Sequence, residues 1–151
     1  MSASMDRLEN REKRMSKLEK CLRTHGYEPR WNQYAGIPKI ANPDDPRIIY
    51  LGAECEDGWV PLIDELITDL KAMGWDGKIH QLKEKFGGLR FYIGGGSDAI
   101  FDRISKAEAK SYEICERCGN PGKPRKLGWI KTLCDEHAKG AEVWETKWGQ
   151  S

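Results

Sequence analysis

Long hydrophobic runs are missing from this sequence. No apolar stretch approaches the roughly 20 residues that a membrane-spanning helix needs, and the opening residues, MSASMDRLENREKR, are charged where a secretory signal requires an apolar centre. Membrane insertion and export are therefore not expected, and the expected compartment is the cytoplasm. Net charge is also missing: 25 Lys and Arg against 24 Asp and Glu leave +1, so no global field draws the chain to nucleic acid or anionic lipid. Histidine is scarce, and His25 and His80 belong to no H-E-x-x-H pattern. There is no glycine-rich phosphate loop, and Gly94, Gly95 and Gly96 have neither Rossmann spacing nor a βαβ setting. These absences remove the recognisable metalloprotease, NTPase and dinucleotide signatures, and a non-enzymatic protein is expected.

What is present is unevenly distributed. A chain of 151 residues, 38% of them hydrophobic, can bury one core of ordinary size, with room for a small satellite module stabilised by other means. From Ile48 to Leu70 there are six acids and no base, whereas from Arg117 to Leu133 there are five bases and no acid. Four stretches follow: a helical arm over 1–26, an irregular linker over 27–57, an α-β-β-α core over 58–112, and a metal-binding finger with a C-terminal helix over 113–151.

In the arm, Leu8, Met15, Leu18 and Leu22 fit the a and d positions of a heptad, with Arg11 occupying one d. Two readings stay open: a helix packed on its own domain, or a short coiled coil that makes a homodimer. Cys21 lies beside this seam and reads as a reduced thiol. The linker is broken by Gly26, Pro29, Gly36, Pro38, Pro43 and Pro46. Beyond it, Val60, Ile63, Ile67 and Leu70 recur at helical spacing, widened by Leu62, Leu66 and Met73; Asp57 reads as the N-cap and Gly74 lies past the end. Asp64, Glu65 and Asp69 read as its solvated face. Leu89, Phe91 and Ile93 alternate with Arg90 and Tyr92, which predicts a half-buried strand in a two-stranded hairpin turned at Gly87 and Gly88. Ser97 then caps a helix carrying Ile100, Phe101, Ile104 and Ala107 and ending near Tyr112.

The strongest chemical signal is in the last third. Cys115 and Cys118 form C-x2-C, fifteen residues intervene, and Cys134 and His137 form C-x2-H. Each pair offers two soft or borderline donors from one short turn, which suits a tetrahedral zinc; iron is the weaker alternative, and a disulfide needs an oxidising compartment. Four protein ligands leave no open position, so one structural zinc is expected. A knuckle at CERCGNPG, a hairpin through Trp129 and Ile130, and a helix opened by CDEHAKGAEVW suggest a treble-clef or ribbon finger in an α+β protein.

Three motifs occur in order: CEDGW at Cys55 to Trp59, KEKFGGLRFY at Lys83 to Tyr92, and CERCGNPG with GWIKTLCDEH at Cys115 to His137. Together they resemble a family of small zinc-binding proteins of tailed phages and prophages, over about residues 50–140. Members commonly carry glycine where this chain has Glu56, and often a cysteine where it has His137. The resemblance implies a phage protein in the host cytoplasm, of a kind that covers a surface on a host protein or nucleoprotein complex, a defence system among them.

Two candidate surfaces follow. Arg117, Lys123, Arg125, Lys126 and Lys131 cluster in the finger with Trp129, which suits an acidic protein surface or, as the rival reading, phosphate and base contacts of a nucleic-acid-binding regulator. Arg90 and Tyr92, on the outer face of the strand, form the second surface, or else pair with Glu65 or Asp69. The third function reading, a metal-dependent nuclease, needs Asp57 and His80 to meet in one site.

Overall fold

A computed structural model describes residues 17–29, 48–49 and 53–144 of the chain. Helix α1 (Lys17–Thr24) buries Leu18 and Leu22 completely in the chain's own core. These two members of the heptad seam thus pack intramolecularly, while Leu8, Arg11 and Met15 lie outside the described residues. Two-residue strands β1 (Glu28–Pro29) and β2 (Ile48–Ile49) pair in parallel. Residues 30–47 and 50–52 of the expected linker also lie outside.

Helix α2 (Val60–Ala72) buries Leu62, Ile63, Leu66, Ile67 and Leu70 and has Pro61 in its first turn, where a missing N–H costs nothing. Asp57 does not cap it. A 3-10 turn over Asp57–Trp59 intervenes, which places Trp59 at the cap position with no side-chain bond. The Asp57 carboxylate instead accepts from the Leu18 amide at 3.2 Å, tying α1 to α2. Met73, expected on the apolar stripe, is 40% exposed because the helix has ended at Ala72.

The hairpin consists of β4 (Ile79–Lys85) and β5 (Gly88–Ile93), with Lys85 opposite Gly88. The turn residues are therefore Phe86 and Gly87, at φ 53° and 85°, and not Gly87 and Gly88. Two positive φ values in a two-residue loop match the right-handed strand twist. Gly88 is needed inside the strand for another reason: a Cβ there would sit 2.3 Å from the Tyr112 ring. Strand β3 (Ala53–Glu54) joins β4 in parallel, so the expected lone hairpin is a three-stranded sheet ordered β3-β4-β5. Leu89 and Phe91 are buried under the helices.

Helix α3 (Asp98–Ser111) starts at Ser97, whose hydroxyl accepts from the Ile100 amide at 3.3 Å, and ends at Tyr112. It also closes the free edge of β5: the Leu89 amide donates to Ser111 Oγ at 2.8 Å and the Phe91 amide to Glu108 Oε2 at 3.1 Å. An edge strand saturated this way offers little to a foreign strand.

The finger contains β6 (Lys123–Lys126), β7 (Ile130–Leu133) and α4 (Asp135–Ala138). The expected C-terminal helix is a single turn. Lys139 and Gly140 take left-handed φ values of 49° and 84°, which stop it, and Val143 returns to bridge Arg125. The architecture is α+β. Among the described residues, no helix is long and apolar enough to cross a membrane.

Candidate metal centre and the seam around it

The knuckle is shaped by backbone bonds. The Cys115 amide donates to Asn120 O at 2.7 Å, and the Gly119 amide returns to Cys115 O at 2.9 Å with Gly119 at φ 82°. This turns the Cys115 and Cys118 thiols toward one point. Cys134 opens α4, so His137, three residues on, lies on the same side of that turn. Cys115 Sγ lies 3.5 Å from His137 Nδ1, Cys118 Sγ 3.7 Å from Cys134 Sγ, and Cys134 Sγ 3.3 Å from His137 Nδ1. Zn–S bonds of about 2.3 Å and Zn–N bonds of about 2.0–2.1 Å imply tetrahedral edges of about 3.8 Å between sulfurs and about 3.6 Å between sulfur and nitrogen. The four donors form a cluster that fits a tetrahedral ion.

The electrostatics favour thiolate at the buried corner. Burial works against the Cys115 thiolate, but the amides of Cys134, Cys118 and Arg117, together with the His137 ring, more than offset it and bring the thiol down to about 6. Cys55, outside the cluster, behaves oppositely: burial, then the carboxylates of Glu116 and Asp57, push its thiol far up, so it is inert.

The three sequence motifs meet where the finger docks on the sheet. From the first, Gly58 donates its amide to Glu116 O at 2.6 Å, and Trp59 Nε1 donates to Ile114 O at 2.9 Å. A Cβ on Gly58 would lie 2.1 Å from Cys115 O, so glycine is required by close backbone approach. From the second, Gly87 O accepts from Thr132 Oγ1 at 2.6 Å. Glu56, where the resemblance leads one to expect glycine, donates its amide to Glu116 Oε2 at 3.1 Å and receives Lys131 Nζ at 2.8 Å and Arg117 Nε at 3.6 Å. Glu116 itself is 1% exposed. Burial raises its carboxyl, and Lys131, with Nζ 3.5 Å from Oε1, offsets this in part.

The structure divides the six finger residues of the candidate surface. Arg117 and Lys131 face Glu56 across the seam. Arg125, 8% exposed, donates to Leu133 O, Ala141 O and Asp135 Oδ1, the last at 2.7 Å, and so staples β6 to β7 and α4. Lys123 and Lys126 are exposed, and Trp129 is 65% exposed. The second surface is rearranged as well. Arg90 donates to Tyr112 OH at 3.1 Å and to Leu89 O, while Asp69 is taken by Arg103 at 2.9 Å. Tyr92 is exposed. Asp57 is engaged by the Leu18 amide, and exposed His80 lies against Gly94; neither belongs to a metal-ligating cluster among the described residues.

Phe86 had no role in the sequence reading. Phe86, 60% exposed at the hairpin turn, lines a cleft of about 550 Å³ with Glu84, Lys85, Gly128, Trp129 and Ile130. Its sequence signal is the F-G-G tripeptide, in which a bulky residue stands where a primed turn prefers Asn, Asp or Gly. No family model, curated protein or solved structure matches the chain.

Proposed function

We propose that the chain is a non-catalytic binding protein that engages a protein surface of a larger complex through the Phe86–Trp129 cleft, with a structural zinc holding one wall in place. The observation that carries this reading is Phe86. A bulky side chain at positive φ costs about 1–2 kcal/mol of backbone energy, and its ring is also left in water. An exposed aromatic anchor is what a protein interface uses. The opposing wall is Trp129, at the tip of the β6–β7 hairpin. Lys85, beside the Phe86 ring, and Lys126, opposite Ile130 in the finger sheet, suit an acidic rim on the partner.

The ion is zinc in this reading, because three sulfurs and one imidazole at tetrahedral spacing leave no open position. The knuckle, the β6–β7 hairpin and the single turn α4 correspond to the parts of a treble clef. The phage character implied by the three motifs makes the partner a host complex and the outcome inhibition by coverage, a defence system being one such target. Nucleic acid is the rival ligand, favoured by exposed Trp129 near Lys126. With Arg117, Arg125 and Lys131 engaged internally, few finger bases remain for phosphates.

The test is quantitative capture from nuclease-treated host lysate, with the Phe86→Ala/Trp129→Ala variant alongside and anisotropy on a labelled single strand. One partner lost by at least about tenfold in the variant, with zinc content unchanged, is the expected result; each hot-spot aromatic supplies roughly 2 kcal/mol or more. A partner retained at full strength contradicts the cleft. Sub-micromolar binding to a generic strand that weakens steeply with salt would put the rival first.

A further inference from the structure

A second group of metal-ligating side chains lies outside the finger, where α1 meets α2. Cys21, in the last turn of α1, and His25, just past its end, are four residues apart and therefore share a face; Asp64 projects from α2 toward them. His25 Nε2 is 2.5 Å from Asp64 Oδ1, and Cys21 Sγ is 3.9 Å from the same oxygen. All three donor atoms lie within 4.8 Å of one another. We infer that Cys21, His25 and Asp64 form a second divalent-metal site, with three protein donors and one exchangeable position.

The donors stand on fixed backbone. The His25 amide donates to Cys21 O at 3.2 Å, Gly26 to Arg23 O at 2.9 Å and Tyr27 to Leu22 O at 2.9 Å, while Lys71 Nζ donates to His25 O at 2.8 Å. Leu18 and Leu22 anchor α1 beneath them. Tetrahedral coordination asks for edges of about 3.4 Å between imidazole nitrogen and carboxylate oxygen and about 3.5 Å between thiolate sulfur and that oxygen. For these two edges the required adjustment is under about 1 Å, and Asp64, with a side chain 58% exposed, is free to make it.

The mixed sulfur, nitrogen and oxygen set selects the metal. Thiolate and imidazole disfavour magnesium and calcium and suit zinc or cobalt(II). Thiolate and carboxylate together neutralise a divalent ion, so the loaded site carries no net charge. A thiol that becomes a thiolate ligand gives up its proton, so loading releases one. Lys71 is a cation at this corner, and its ammonium is engaged by the His25 carbonyl and the Tyr27 ring. Three protein ligands plus an open position is the donor count of sites that exchange water for substrate or for a partner's side chain. Such a site differs in kind from the closed cluster of the finger.

The experiment is a cobalt(II) titration of the full chain with zinc already in the finger. The expected result is one further cobalt per chain, a thiolate charge-transfer band in the near ultraviolet, and a released proton. Cys21→Ser removes the band, and Asp64→Asn weakens uptake by at least about tenfold, with the finger zinc retained in both. On the wild type alone, paramagnetic broadening starts at the His25 and Asp64 amides and spares Cys115, a readout independent of how the variants fold. No cobalt beyond displacement of finger zinc overturns the assignment, as does a band surviving in Cys21→Ser, uptake unchanged in Asp64→Asn, or broadening centred on Cys115.

Discussion

The helix and sheet core and the finger are ordered by different forces. Among the described residues, seventeen buried apolar side chains, from α1, α2, α3 and the sheet with the segments between them, form one cluster in the core. The apolar cluster of the finger has four buried members, Cys115, Leu133, Cys134 and Ala138, and two of these are cysteine donors. At about 1.5–3 kcal/mol for each large side chain buried, the first region gains several times what the second does. In the proposed reading the finger is held from outside, by an ion among its donors and by the seam that clamps it to the core.

The largest expected effect separates the two regions. Cys134→Ser removes one donor and with it most of a metal affinity on the order of 10 kcal/mol. Amide spectra should show residues 113–144 collapsing to random-coil positions while α2 keeps its dispersion. The reverse change comes next. Leu66→Ala, at a fully buried position, should lower global stability by about 2–5 kcal/mol in denaturant titration and leave the metal content of the folded fraction unaltered.

A smaller effect probes the seam. Gly58→Ala sets a methyl against Cys115 O and Glu116, and the strain of overpacking is about 1–3 kcal/mol. Its mark should be faster hydrogen exchange on both sides of the seam; a response confined to one side would mean that the regions are independent. The smallest effect has the opposite sign. Phe86→Asn fits the left-handed turn better and should stabilise the chain by about 1 kcal/mol in thermal unfolding, while weakening partner capture. A variant that is less stable would assign Phe86 a folding role and remove the reason for reading it as an anchor.

Much of this was legible in the residues. Local chemistry decided the four donors by their spacing, the Ser97 cap by its side chain, and β5 by the alternation of Leu89, Phe91 and Ile93. What stayed hidden was long-range. Strand β3 has two residues and so no period to read. Asp57 looked like a cap because nothing local reveals that the Leu18 amide, 39 residues away, takes its carboxylate. Arg117, Arg125 and Lys131 looked like an open patch because their acids, Glu56, Asp135 and Glu116, come from other elements. Cys21 and His25 lie far in sequence from Asp64, so their meeting follows only from the packing of α1 on α2.

The central claim is that an ion orders the finger while the core orders itself. Hydrogen exchange on the intact protein, before and after a strong chelator, tests it most directly. On chelation the amides of Cys115, Glu116 and Gly119 should lose protection, together with the Gly58 amide that bonds across the seam to Glu116 O, while Leu66, Ile67 and Leu70 in α2 remain protected. Finger amides that stay protected without metal, or an α2 that opens with them, would contradict it.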